Sequence, residues 1–136
     1  MERRQFLAGL ALAPVLTGRA TADEALRDRP LGLILVGVSW CQFCKGAAAA
    51  LQAATGPVEL PLLVASQDGR PIEPIPDCVD ARGHPLAKDI PQVPILLFVH
   101  IPSQQVIARI EGFRNPRAYL SRVKSTLIAI QDAGYA

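Results

Sequence analysis

Two stretches of the chain are almost continuously apolar, residues 31–39 and residues 92–99. Each is too short for a typical helix, and an uninterrupted apolar run of this length is typical of a strand buried on both faces of a sheet. The second run carries Pro94 near its start, where a missing backbone donor is tolerated. We therefore predict two buried strands, the first of them central in a sheet that is covered by helices.

Helical patterns follow the first strand and end the chain. Residues 45–54 are rich in alanine, and the following Gly56 and Pro57 stop a helix. Further on, Asn115 is a good N-cap and Pro116 a good first-turn residue. Apolar side chains then recur at helical spacing at Leu120, Val123, Leu127 and Ile130. The pattern predicts a C-terminal amphipathic helix that packs on the sheet.

The rest of the pattern gives shorter elements. Residues 58–65 favour a strand that Pro61 places at an edge or interrupts, and residues 82–90 favour a short helix. A turn after the second apolar run leads into residues 106–110, so these two strands should form a hairpin. The order of strands and helices predicts one α/β domain with a mixed sheet and helices on both faces.

The first residues have the pattern of an export signal. Arg3 and Arg4 give a positive start, residues 7–16 are apolar, and small residues end at Ala22. The arginine pair resembles a bacterial twin-arginine signal, with cleavage after Ala22. An ordinary N-terminal helix or an uncleaved anchor stays open as the alternative. We expect a signal peptide over residues 1–22 and a soluble periplasmic domain over residues 23–136.

Charge changes the picture once the signal is set aside. The chain of 136 residues has 14 basic and 12 acidic residues, and removal of Glu2, Arg3, Arg4 and Arg19 leaves 11 of each. A neutral mature chain has no excess of positive charge for nucleic acid or for a membrane surface. We therefore expect no nucleic-acid partner.

The candidate chemistry lies in a pair of cysteines at the junction of the first strand and the first helix. A thiol attacks a disulfide only as the thiolate, and the mixed disulfide is released by a second thiol nearby. The amides at a helix N-terminus favour a thiolate at Cys41, and Cys44 lies three residues on, within bonding reach. We predict that Cys41 is the nucleophile and Cys44 the resolving thiol.

A metal site is the competing interpretation of the cysteines. Cys41, Cys44 and the third cysteine, Cys78, could bind zinc together with His84 or His100, or the thiolates could carry copper(I). Metal-binding pairs more often come with a second pair of similar spacing, which this chain does not have. For Cys78 itself we favour a buried thiol without chemistry, and a regulatory or partner-linking thiol stays open.

Trp40 directly precedes the cysteine pair, Lys45 directly follows it, and Val93 and Pro94 lie about fifty residues downstream. With the pair itself, these residues resemble the thioredoxin superfamily. The similarity extends over most of residues 31–130 and implies a thioredoxin-like fold. It also implies that Pro94 is cis and faces the redox pair, that the backbone of Val93 pairs with bound substrate, and that Trp40 lies in the substrate-binding surface.

The same resemblance has two departures. The spacer between the cysteines is Gln42 and Phe43, closer to glutaredoxins and some periplasmic relatives, and Leu35 stands where thioredoxins have a buried acid. Another path for the proton of Cys44 is therefore needed. The segment 109–113 is similar to that of small exported thioredoxins that accompany bacterial sulfur-oxidation systems, which keep partner thiols reduced.

Together these features predict a periplasmic thiol–disulfide oxidoreductase that reduces disulfides of partner proteins. The reducing direction is favoured because the chain has neither the helical insertion of exported oxidases nor the dimerisation domain of isomerases. A membrane electron-transfer protein is the expected reductant, no organic cofactor is implied, and a monomer is expected.

Overall fold

The structure is a computed structural model, and it describes residues 30–135. The predicted signal peptide, residues 1–22, lies outside the described residues. In chain order the elements are β1 (Leu31–Gly37), α1 (Gln42–Thr55), β2 (Leu62–Ser66), β3 (Val79–Asp80), a 3-10 turn (Ala81–Gly83), β4 (Ile95–His100), β5 (Gln105–Glu111) and α2 (Pro116–Asp132).

The five strands form one mixed sheet in the order β3-β2-β1-β4-β5. The central strand β1 runs parallel to β2 and antiparallel to β4, with Leu35 between Val64 and Leu96. All seven residues of β1 are buried, which explains its uninterrupted apolar sequence. The strands β4 and β5 form the predicted antiparallel hairpin. The prediction of an α/β domain with a mixed sheet and a central first strand is confirmed.

Both α-helices cover the same face of the sheet. Leu51 of α1 and Tyr119 and Val123 of α2 share one buried core with alternate residues of the strands, among them Leu35 and Phe98. This core contains more of the buried residues than the core on the other face of the sheet. It is also the core into which Cys44 is packed.

The opposite face of the sheet has no α-helix within residues 30–135, so the expectation of helices on both faces is corrected. There Ile34, Val36 and Leu97 pack against Ala81 and Ala87 of the connection between β3 and β4. The segment expected to form a helix over residues 82–90 has only the 3-10 turn at its start. Gly83 and Pro85 explain this, because glycine weakens a helix and proline lacks the N–H that continues one.

Local capping sets the helix boundaries. Helix α1 begins at Gln42, earlier than the alanine-rich segment indicated, because Cys41 is its N-cap. Helix α2 begins as predicted, with the Asn115 side chain accepting a hydrogen bond from the Ala118 N–H at 2.8 Å. In the part of the chain that the structure describes, neither helix is long and apolar enough to cross a membrane.

Candidate active site

The two cysteines of the pair lie where β1 ends and α1 begins. Cys41 is the N-cap of α1, and its sulfur accepts a hydrogen bond from the backbone N–H of Cys44 at 3.2 Å. The first turn of α1 contains no acidic residue that would oppose a negative charge on this sulfur. The local structure therefore places the Cys41 sulfur where a helix N-terminus stabilises an anion.

The two thiols differ in accessibility. Cys41 is partly exposed, whereas Cys44 is completely buried in the core beneath it, and both are free thiols. Gly37 provides the space for Cys44, because a Cβ on Gly37 would lie 2.9 Å from the Cys44 sulfur. A substrate disulfide can reach the partly exposed sulfur of Cys41 directly. It can reach the buried Cys44 only by way of Cys41.

Burial also changes the protonation of Cys44. Desolvation of the side chain, and then its contact with Cys41, raise the pKa of the Cys44 thiol to about 12, against a smaller opposite effect of the Val38 backbone. The negative charge of Asp68 adds a smaller increase. Cys44 is therefore a neutral thiol at physiological pH while Cys41 and Cys44 are both reduced. Burial and neutrality fit a thiol that reacts only after Cys41 has reacted.

Asp68 is a residue of this region that sequence reasoning missed. Its carboxylate accepts hydrogen bonds from the N–H and hydroxyl of Ser39 and, at 2.6 Å, from the hydroxyl of Ser66. The contact with Ser39, followed by that with Ser66, lowers the pKa of Asp68 well below its usual range. Such a carboxylate is a weak base, so Asp68 is poorly suited to accept the proton of Cys44. Asp68 instead stabilises the turn before Cys41 through its hydrogen bonds with Ser39 and Ser66.

A signal for Asp68 was present in the sequence. It follows β2, the strand parallel to β1, and the carboxyl ends of parallel strands meet at one edge of a sheet. An acid just after the second strand of such a pair is therefore a candidate for the same site. The sequence analysis predicted this strand over residues 58–65 but not its parallel pairing with β1, so the proximity of Asp68 to the turn before Cys41 was not predicted.

Two exposed aromatic residues lie close to the accessible Cys41 in sequence. Trp40 is 77% exposed and Phe43 is 58% exposed, although both are large and apolar. Trp40 is therefore not a core residue. Exposed aromatic side chains beside a reactive group are typical of a surface that contacts another protein.

The proline of the second apolar run lies at the same end of the sheet. Ile95, the first residue of β4, pairs with Val36 near the end of β1, which brings Pro94 next to the strand end that precedes Cys41. The Val93–Pro94 peptide bond is cis, as expected. The carbonyl of Pro94 accepts a hydrogen bond from the Gly112 N–H at 2.9 Å, which ties the end of β5 to this loop.

The structure does not bring together the residues of the alternative metal site. The Cys78 sulfur accepts from the Ile72 N–H at 3.3 Å, so its contacts are with the loop after β2. His84 accepts from the Leu86 N–H, and His100 contacts the Ser103 hydroxyl. Across residues 30–135 there is no group of three or more histidine, cysteine or acidic side chains placed to hold a metal ion.

Comparisons with known proteins do not assign this chain to a family. No model of a protein family matches the chain, and no curated protein sequence matches it.

Proposed function

We propose that this protein is a thioredoxin-like thiol–disulfide oxidoreductase, exported to the periplasm, that reduces disulfides of partner proteins. The observation that carries the proposal is the unequal cysteine pair at a helix N-terminus. Cys41 is accessible and caps the helix, and Cys44 is buried, neutral and hydrogen-bonded to it through its backbone. This is the arrangement that a nucleophilic thiol and a resolving thiol require.

The chemistry proceeds in two exchanges. The Cys41 thiolate attacks one sulfur of the substrate disulfide, which forms a mixed disulfide and releases the other substrate sulfur as a thiolate that takes a proton from water. Cys44 then loses its proton and attacks the Cys41 sulfur, which releases the second substrate thiol. Two electrons pass to the substrate, and the protein is left with a Cys41–Cys44 disulfide. A membrane electron-transfer protein would return the two electrons.

The low acidity of Cys44 suits this order of events. A neutral buried thiol cannot attack early, so the mixed disulfide persists long enough for the substrate to be positioned. Once Cys41 is in a disulfide, its sulfur no longer opposes a charge on Cys44. The second exchange is then favoured by proximity, because both sulfurs lie within one helical turn.

The thioredoxin-like assignment is supported by strand order and by the location of Pro94. A central first strand is parallel to the strand after the first helix and antiparallel to the first strand of a hairpin, and a helix follows that hairpin. Pro94 lies at the start of that hairpin, at the end of the sheet where the cysteine pair begins α1. Each of these features agrees with what the resemblance in sequence implies.

The decisive experiment is the reduction potential of the full chain, with mass mapping of the cysteines that pair. We expect a Cys41–Cys44 disulfide with a reduction potential of about −270 mV, the value of thioredoxin. A value of about −120 mV would make the protein an oxidant. The Cys78→Ser variant should retain the couple, and the Cys41→Ser variant should lose it. Copurified zinc or copper with no disulfide would replace the proposal with a metal-binding function.

A further inference from the structure

The segment that follows β5 and begins α2 has basic side chains and no acidic ones. Residues 112–124 contain four basic residues and no acidic residue. All four side chains are exposed, and within residues 30–135 none of them forms an ion pair. We call this group the basic flank; its members are Arg114, Arg117, Arg122 and Lys124.

Two contacts attach the start of the basic flank to the site. The Gly112 N–H donates to the Pro94 carbonyl at 2.9 Å, and the ring of Phe113 lies against Gly46 of α1. A Cβ on Gly46 would lie 2.6 Å from that ring, so glycine is needed for this close approach. The segment that leads to Arg114 is therefore held between the Pro94 loop and the first helix.

A cavity of about 370 Å³ lies in the basic flank. Arg114 and Arg122 line it together with Phe113, Tyr119 and one acidic residue, Glu111. Arg122 also donates to the backbone carbonyl of Glu111 at 3.4 Å, so its guanidinium is held towards the end of β5. Two guanidinium groups at a cavity with an aromatic wall provide a site for a carboxylate, because arginine binds carboxylates through paired hydrogen bonds.

Lys45, the residue after the redox pair, differs from the basic flank because it has an acidic partner. Lys45 forms an ion pair with Glu73 at 3.7 Å, so the cation on that side of α1 is already partnered. Lys45 and Gly46 are consecutive in α1 and therefore face directions about 100° apart. The basic flank, which reaches the Gly46 side of α1 through Phe113, thus holds positive charge that no ion pair within residues 30–135 neutralises.

We propose that the basic flank selects the substrate: it binds an acidic segment of the partner protein whose disulfide meets Cys41. This inference rests on the proposed function and names the partner class of the same site. Carboxylates of the partner contact Arg114 and Arg122 while its disulfide lies beside the exposed Trp40 and Phe43. Complementary charge of this kind raises the rate of association and rejects partners of the opposite sign.

Three disulfide peptides that differ only in the residues around the disulfide provide the test: aspartate and glutamate, serine and glutamine, or lysine. The measurement is the second-order rate constant of exchange with the reduced full chain, divided by the rate with dithiothreitol to remove the intrinsic reactivity of each peptide. We expect the acidic peptide to react about tenfold faster than the lysine peptide at low salt, and the ratio to fall towards one at high salt.

Variants locate the effect. The double variant Arg114→Gln, Arg122→Gln should lose most of the preference and retain the rate with the neutral peptide. Arg109→Gln is the matched control. Arg109 is exposed on β5 and pairs with Leu97, whose side chain lies on the face of the sheet that the α-helices do not cover, so Arg109 lies outside the basic flank. This control should keep the full preference.

The outcomes separate the two proposals. Exchange with the neutral peptide without a charge preference, or a preference unchanged in the double variant, overturns the acidic-partner inference alone. No exchange with any of the three peptides overturns the oxidoreductase proposal and this inference with it. A preference lost in the double variant and kept in Arg109→Gln supports both.

Discussion

The backbone N–H of Cys44 donates a hydrogen bond to the sulfur of Cys41 at 3.2 Å, so the two cysteines are connected before any disulfide forms. The direction of this bond matters. It brings partial positive charge to the Cys41 sulfur, whereas at the Cys44 side chain burial and the proximity of Cys41 and Asp68 outweigh the opposite effect of the Val38 backbone. One helical turn thus places two chemically identical groups in opposite electrostatic environments.

The first prediction concerns thiol reactivity. With limiting iodoacetamide at about pH 8, Cys41 of the reduced chain should be alkylated well before Cys44, because Cys44 is buried and its pKa is raised to about 12. Mass mapping of the peptides measures the order. In urea the two cysteines should react at similar rates, which controls for sequence effects. Equal rates in the folded protein would contradict the roles assigned here.

The second prediction concerns stability at alkaline pH. The Cys44 pKa is raised from 9.0 to about 12, so between these values the folded state keeps a proton that the unfolded state has lost. The stabilisation by this group is complete below about pH 9 and is lost as the pH rises towards 12. The free energy of unfolding of the reduced chain should therefore fall by about 1.4 kcal/mol per pH unit through Cys44 alone.

Comparison with Cys44→Ala isolates that contribution. Other groups titrate in both proteins. The free energy of unfolding of each protein is measured by urea denaturation from about pH 9 to 10.5, and the difference between their changes per pH unit reports Cys44. We expect the variant to be less stable at pH 7 and its free energy of unfolding to fall less steeply with pH. Parallel slopes would mean that the Cys44 thiol ionises as easily in the folded chain as in the unfolded one.

The third prediction tests the space beside the resolving thiol. Gly37→Ala would place a Cβ at 2.9 Å from the Cys44 sulfur and 3.1 Å from the Ile72 side chain. Overpacking of this kind costs about 1–3 kcal/mol, and displacement of the sulfur should also slow closure of the Cys41–Cys44 disulfide. Gly83→Ala is the control, since a Cβ there meets nothing within 4 Å. Urea denaturation and oxidation kinetics measure the two effects.

The fourth prediction concerns the carboxylate that fastens the turn before Cys41. Asp68→Asn should lower the free energy of unfolding by about 1 kcal/mol at pH 7, because the bonds from Ser39 and Ser66 lose their charged acceptor. The folded pKa of Asp68 lies below its ordinary value of 3.8, so this contribution is present above about pH 4 and is lost as the pH falls further.

Acid titration of stability provides the measurement for this variant. The difference in the free energy of unfolding between wild type and Asp68→Asn should become smaller below about pH 4. Asp77→Asn changes an exposed aspartate of the neighbouring loop and should leave the free energy of unfolding at pH 7 nearly unchanged. If Asp77→Asn and Asp68→Asn behave alike, Asp68 has no special role in the turn.

The extent to which sequence predicts this fold follows from the length and regularity of each pattern. The continuous apolar run of β1 and the capped, periodic sequence of α2 carry their structure locally, and both predictions are confirmed. The segment after β3 carries weak and conflicting local signals. Its conformation is set by the apolar face that it covers, where Ala81 and Ala87 pack on the sheet, and this is a tertiary effect.

The candidate site divides in the same way. The spacing of Cys41 and Cys44 is local, so sequence alone predicted their position at a helix N-terminus. Asp68 reaches the site from 29 residues beyond Ser39 through the pairing of β1 with β2, a register that no local pattern specifies. The contact of Phe113 with Gly46 likewise depends on how α1 packs beside the end of β5.

The last prediction concerns a buried hydroxyl that the proposed chemistry does not use. Tyr119 is 2% exposed, and its hydroxyl is a buried polar group without a hydrogen-bond partner among the described residues. Its ring packs edge-on against Phe113, with 5.1 Å between ring centroids, so the aromatic body has a role that the hydroxyl lacks. An unsatisfied buried hydroxyl costs about 1–3 kcal/mol, and Tyr119→Phe should therefore raise the free energy of unfolding by about 1 kcal/mol.

Tyr135→Phe, at a residue that is 41% exposed, is the control and should change the free energy of unfolding little. Urea denaturation measures both variants, and a loss of stability in Tyr119→Phe alone would show that this hydroxyl has a partner, such as a buried water, in solution.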